Sequence, residues 1–110
     1  MVIPLIRFGV NDRIYIRLEA GGLYGTVYFQ ALLQQGSYAG IELAALIQTA
    51  INSGASLYGG TSFSCQYDEY TASMTLTCLS KSFEILKDDQ AASHFSGTIA
   101  NFATALFANS

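Results

Sequence analysis

Apolar and polar residues alternate along Arg13-Ile14-Tyr15-Ile16-Arg17-Leu18-Glu19. Ile14, Ile16 and Leu18 fall on one side, and Arg13, Tyr15, Arg17 and Glu19 on the other. Successive side chains of a strand point to opposite faces, so the run predicts a half-buried strand with a charged outer face. Asn11-Asp12 reads as the turn before it and Gly21-Gly22 as the break after it. Thr26-Val27-Tyr28-Phe29 is a second β-rich run reaching toward Leu33, and the short Gly-rich connection returns it antiparallel to the first. Beyond the turn Gln35-Gly36-Ser37-Tyr38 the apolar period lengthens from two to about 3.6 residues. Over about 40–53, Glu42, Ala45, Thr49 and Asn52 share a polar or small stripe. Leu43, Ile47, Ala50 and Ile51 lie opposite, with Leu46 at the edge. That is one main amphipathic helix. Glu42 near its start and Asn52-Ser53-Gly54 near its end suit the two termini, whereas Ala39 stands where Ser, Thr or Asp would cap.

Gly54 to Gly60 reads as a loop. Phe63, Cys65 and Tyr67 then alternate with Ser64 and Gln66, and Met74 to Leu79 alternates again after Asp68-Glu69-Tyr70-Thr71-Ala72. The pair predicts a hairpin whose Phe63, Cys65, Tyr67, Met74, Leu76 and Cys78 share the face under the helix, with Thr75 and Thr77 outward. Phe83 to Leu86 predicts a further short strand, and Lys87-Asp88-Asp89-Gln90 a solvated loop. In the tail, Phe95, Ile99, Phe102 and Leu106 recur at spacings of four, three and four. This predicts a second short helix, with a strand or arm lying on a neighbouring subunit as the competing reading. The fold class expected is α+β: an antiparallel sheet of about four or five strands, one main helix packed on it and a short C-terminal helix. The 110 residues form one domain, with a core module over about 11–86 and 87–110 as a docking tail.

Composition changes this picture in one respect. Charged residues are 12% of the chain, about half the usual share, and hydrophobic residues are 51%. So few charges do not cover every face of a small monomer, which points to an apolar patch that binds another subunit. Leu43, Ile47 and Ile51 on the helix, with Phe95, Ile99, Phe102 and Leu106 in the tail, are the candidates for core or assembly contacts. The net charge is −3 and the five basic residues are scattered, which argues against a phosphate-backbone partner. The longest apolar run, Leu43 to Ile47, is far short of the roughly 18–20 residues of a membrane span, and no secretory pattern is expected at Val2-Ile3-Pro4-Leu5-Ile6.

Few residues suggest chemistry. Cys65 and Cys78 share one face of the expected hairpin, opposite or diagonal according to register, and are read as two thiols, with a cross-strand bridge as the alternative. Two Cys and one His do not complete a zinc site of ordinary spacing. His94 neighbours Asp88, Asp89, Ser93 and Ser96, but Gly36-Ser37-Tyr38-Ala39-Gly40 puts its serine one place too early for a nucleophile elbow, and His94 is read as a loop residue. Asp68-Glu69 and Asp88-Asp89 are adjacent carboxylates that face apart in a strand or are solvated in a turn, weak calcium binding being the alternative. No catalytic, cofactor-binding or metal-binding residue is assigned. Tyr24, Tyr28, Tyr58 and Tyr70 are read as the shelf of an alternative receptor- or carbohydrate-binding module, with Tyr24 and Tyr58 as its ligand-binding candidates, although the chain has no Trp.

The residues Arg13-Ile14-Tyr15-Ile16, Gly36, Tyr38, Glu42-Leu43-Ala44, Ile47-Gln48, Ala50-Ile51-Asn52, Phe63, Tyr67-Asp68, Thr71, Thr75-Leu76-Thr77, Phe83 and Ile85-Leu86 follow one another at characteristic spacings. In order and spacing this stretch, roughly residues 11–86, resembles a module of structural proteins in double-stranded DNA virus and phage particles. Ala39 and the stretch after Leu86 depart from that module's pattern. The resemblance implies that Gly36 and Tyr38 set the start of the helix and that Tyr67-Asp68 to Thr71 set the hairpin turn. It further implies a virion structural protein, namely a minor capsid, vertex, spike or tail-associated component. Such a protein acts by assembly with copies of itself or other particle proteins, with no enzyme activity and no cofactor, and is located in the virion.

Overall fold

The structure is a computed structural model and describes residues 5–58, 63–71, 73–78, 81–95 and 99. Strands β1 (Arg13–Gly21) and β2 (Gly25–Leu32) form an antiparallel hairpin in which Ile14 faces Ala31, Ile16 faces Phe29 and Leu18 faces Val27. The connection works because Gly21, Gly22 and Gly25 take positive φ angles of 74°, 57° and 59°, where a side chain would be strained. Helix α1 (Gly40–Ala55) follows and continues into a 3-10 turn at Ser56–Tyr58. Strands β3 (Phe63–Asp68) and β4 (Ser73–Cys78) make a second hairpin, β5 (Phe83–Ile85) a short strand, and α2 (Asp88–His94) a short helix.

The fold is α+β with five antiparallel strands, hydrogen-bonded as a three-stranded sheet of order β2-β1-β5 and a separate hairpin β3-β4. Helix α1 packs against β2 of the first sheet and β3 of the second. Leu43, Ala44, Ile47, Ile51 and Ala55 form its buried stripe, meeting Ile14, Ile16 and Leu18 of β1 and Phe63 of β3 in one core. Each of the larger aliphatic side chains contributes on the order of 1.5–3 kcal/mol of burial before entropy is counted. Ala39 offers no side-chain cap, and Glu42 instead reaches back to accept the Ala39 N–H at 3.1 Å. The helix runs past the stop expected near Gly54, to Ala55. Gly54 serves close approach: a Cβ there would stand 2.8 Å from the Phe29 ring. Gly40 likewise lies under the ring of Tyr67, 2.4 Å from where its Cβ would be.

Two expectations change. Tyr15, read on the charged outer face of β1, is only 1% exposed, because Leu86, Ala91 and the half-buried Tyr28, Phe95 and Ile99 cover that face with a second apolar layer. The short C-terminal helix exists, but it occupies the stretch expected as a solvated loop. Asp88 and Asp89 suit its positive N-terminal end, and the Gln90 side chain accepts the Lys87 N–H at 2.9 Å. It ends before the apolar stripe: Phe95 is extended, at φ −127° and ψ 142°. Phe102 and Leu106 lie outside the described residues.

Candidate functional site

Several of the polar groups first considered for chemistry are engaged locally. The His94 ring stacks on Tyr28, centroids 3.7 Å apart and planes 13° from parallel. Its neighbour Ser93 donates its hydroxyl to the Asp89 carbonyl at 3.2 Å, a helix-internal bond. Asp68 accepts the Tyr70 N–H at 2.9 Å and so closes the β3-β4 turn. Register sets the two cysteines diagonally, Cys65 opposite Leu76 and Cys78 opposite Phe63, and both are free. Burial pushes the Cys65 thiol up to about 11, which keeps it protonated and unreactive near neutral pH. Among the described residues no three His, Cys, Asp or Glu side chains gather as a metal site.

One carboxylate escaped the sequence reading. Asp12, taken as a turn residue, is 2% exposed, and its Oδ1 has no hydrogen-bond partner among the described residues; Arg13 Nε stands 4.0 Å away. Its backbone carbonyl accepts the Leu33 N–H at 2.7 Å, extending the β1-β2 ladder by one bond. The pairing buries the residue, and nothing in the local pattern signals it.

A polar ladder crosses the outer face. The Thr26 hydroxyl donates to Glu19 at 2.7 Å, Arg17 donates to Glu19 and, at 3.2 Å, to Glu84, and Gln90 donates to Glu84 at 3.0 Å. The hydrogen bond to Glu84 is the main reason the Arg17 guanidinium is held above its ordinary value; burial opposes it, and the charges of Glu19, Glu84 and Tyr28 add to it. This ladder ties β2, β1, β5 and α2 together.

What remains exposed and unexplained is apolar. In the first loop, Leu5, Phe8 and Val10 project outward, Phe8 being 78% exposed. That loop is stiff: Asn11 accepts the Arg7 N–H at 2.7 Å and donates to the Leu5 carbonyl at 2.9 Å. Gln35 accepts the Phe8 N–H at 3.1 Å, and Ile6 exchanges two backbone bonds with Gly36. A second apolar group forms where two turns meet. Tyr24 of the β1-β2 turn and Tyr58 of the 3-10 turn meet edge to face at 5.7 Å, and each follows an exposed leucine in sequence, Leu23 and Leu57. Leu23 is wholly exposed and Leu57 72% exposed. Of the four tyrosines of the expected shelf, the structure brings Tyr24 and Tyr58 together but edge to face, stacks Tyr28 on His94 and leaves Tyr70 exposed at the β3-β4 turn, so they form no flat shelf.

Leu43, Ile47 and Ile51 are all core. Most of the exposed large apolar side chains sit instead in turns, where no periodicity separates an exposed Leu from a buried one; Leu32 on β2 and Ile41 on α1 are the exceptions among the described residues. Comparisons with protein-family models, curated proteins and solved structures return no match to this chain.

Proposed function

We propose that this protein works by attachment to other proteins, copies of itself included, as a structural component of a virus or phage particle. The single observation that carries attachment is the pair of exposed apolar groups, Leu5-Phe8-Val10 and Leu23-Tyr24-Leu57, each held on a hydrogen-bonded turn. Apolar side chains fixed in water on rigid supports are the usual mark of an interface, since little order is lost when a partner covers them. The particle assignment rests on the resemblance over about 11–86. A catalytic reading has less support, because the His94 ring, the Ser93 hydroxyl and the Asp68 carboxylate each serve a local structural contact and the Cys65 thiol is buried in the core. A carbohydrate shelf has less as well, because Tyr24 and Tyr58 present an edge-to-face pair.

Sedimentation equilibrium of the purified chain, beside Phe8→Asp and Leu23→Asp, tests the attachment. Both residues are exposed, so both variants should keep the wild-type far-UV spectrum and melting temperature. The expected result is a concentration-dependent oligomer that one or both substitutions weaken. A chain that stays monomeric up to about 1 mM, where even an association of about 4 kcal/mol registers, overturns self-attachment.

A further inference from the structure

Strand edges in this molecule are treated unequally. On β3, the Phe63 and Cys65 backbone groups point away from β4, and α1 meets three of them: Asn52 accepts the Phe63 N–H at 2.7 Å and donates to the Phe63 carbonyl at 3.0 Å. Gln48 accepts the Cys65 N–H at 3.0 Å. On β2, α1 comes so close that a Cβ on Gly54 would lie 3.5 Å from the Gln30 carbonyl oxygen. The β5 edge is only three residues long. Among the described residues the outer edge of β4 has no such cover. Its Ser73, Thr75 and Thr77 face Asp68, Gln66 and Ser64 in the ladder to β3, which leaves the backbone groups of Met74, Leu76 and Cys78 directed outward. Among the described residues nothing pairs with them.

The edge also lacks the devices that keep strands apart. Ser73–Cys78 carries no charge and no proline, and its register against β3 shows no bulge. Unpaired backbone groups in extended geometry are complementary to another extended strand and to little else. The sequence of this strand then selects its partner. In a two-fold antiparallel pairing centred on Leu76, Leu76 meets Leu76, Met74 meets Cys78 and Thr75 meets Thr77. Met74, Leu76 and Cys78 share the buried or half-buried side, and Ser73, Thr75 and Thr77 the exposed side. Apolar therefore meets apolar, hydroxyl meets hydroxyl, and no like charges oppose. Helix α1 lies against β3 and β2, away from this edge, so it does not obstruct the approach.

We propose that a second copy of this chain docks on the outer edge of β4, forming a continuous four-stranded sheet β3-β4-β4-β3 across a two-fold axis. The inference rests on the self-attachment reading and adds to it a surface distinct from the two exposed apolar groups, together with its register. The six-residue edge is short against the roughly 800 Å² per partner of a standard interface, so the free dimer is concentration-dependent, and tethering in an assembly supplies what the edge lacks.

The test uses exposed side chains that the lone fold does not need. Three samples go through sedimentation equilibrium: wild type, the double variant Thr75→Lys with Thr77→Lys, and the double variant Thr75→Glu with Thr77→Glu. In the proposed register each charge meets a like charge on the partner, twice per dimer. Each variant alone should therefore self-associate about tenfold or more weakly than wild type, and an equimolar mixture of the two should recover a dimer. Recovery also demonstrates that the variants are folded. Wild-type association that both variants retain undiminished overturns the β4 edge while leaving self-attachment standing. A wild-type chain that never associates overturns both.

Discussion

Cys65 shows how one side chain's surroundings become a measurable property. It lies in the core on β3, and burial moves its thiol from an ordinary 9.0 to about 11. The unfolded chain loses this proton near pH 9 and the folded chain only near pH 11, so between those values the folded state binds more protons. Stability is fully present below pH 9 and falls as pH rises toward 11. Urea titrations at stepped pH should show that decline in wild type and a shallower one in Cys65→Ala, whose overall stability is lower at every pH by the cost of the lost contacts. Equal slopes in the two proteins would refute the assignment. The same residue explains the absence of a bridge. With Leu76 opposite Cys65 and Phe63 opposite Cys78, the two sulfurs belong to diagonal positions, about 7–8 Å apart between backbones and beyond the reach of an unstrained disulfide.

At the scale of elements, the strands and α1 were legible because local periodicity encodes them. Ile14, Ile16 and Leu18 alternate, and Leu43, Ile47 and Ile51 recur once per turn, whatever they pack against. What was not legible depends on residues far apart in sequence. The pairing of β5 with β1, the burial of Tyr15 beneath Leu86 and Ala91, and the division of five strands into two sheets leave no local trace. Helix α2 was missed because only Ala91 of its seven residues is buried, too little to print a stripe. Asn52 is the instructive case. It falls on the polar side of α1 as expected, yet that side is partly turned to the β3 edge, where its amide makes both bonds to Phe63. Asn52→Ala removes two hydrogen bonds and strands a half-buried N–H and carbonyl, so it should cost about 1–3 kcal/mol. Asn52→Asp keeps the acceptor and loses the donor, and should fall between alanine and wild type in a denaturant titration. An alanine variant as stable as wild type would show that water replaces the amide at this edge.

On the scale of the whole molecule, the β2-β1-β5 sheet carries apolar cover on both faces, and the two covers are unequal. One face meets α1 through a stripe of five buried residues within a core of fully enclosed Ile, Leu and Phe side chains. The other meets α2 and its flanks through Leu86, Ala91 and the half-buried Phe95 and Ile99, around Tyr15 and the half-buried Tyr28. A seven-residue helix is far below the length that sustains itself in water, so α2 persists only while docked. Its anchors are that small cluster, the Tyr28–His94 stack and the Gln90–Glu84 bond. Opening α2 exposes little apolar surface and leaves the main core intact, whereas opening α1 dismantles it. Native-state hydrogen exchange should separate these events. The amides of Ala91 and Phe95, which donate to Lys87 and Ala91 within and at the end of α2, should exchange by a local opening well below the global unfolding free energy. The amides of Ile47 and Ile51 should exchange only with global unfolding. Ala91→Asp, which places a charge beneath α2, should raise exchange at Phe95 by about tenfold or more while leaving Ile47 and Ile51 within the change seen in global stability. Equal protection at all four amides would mean that α2 and the core form one cooperative unit. In that case its docking would be as strong as the packing of α1, despite the smaller cluster beneath it.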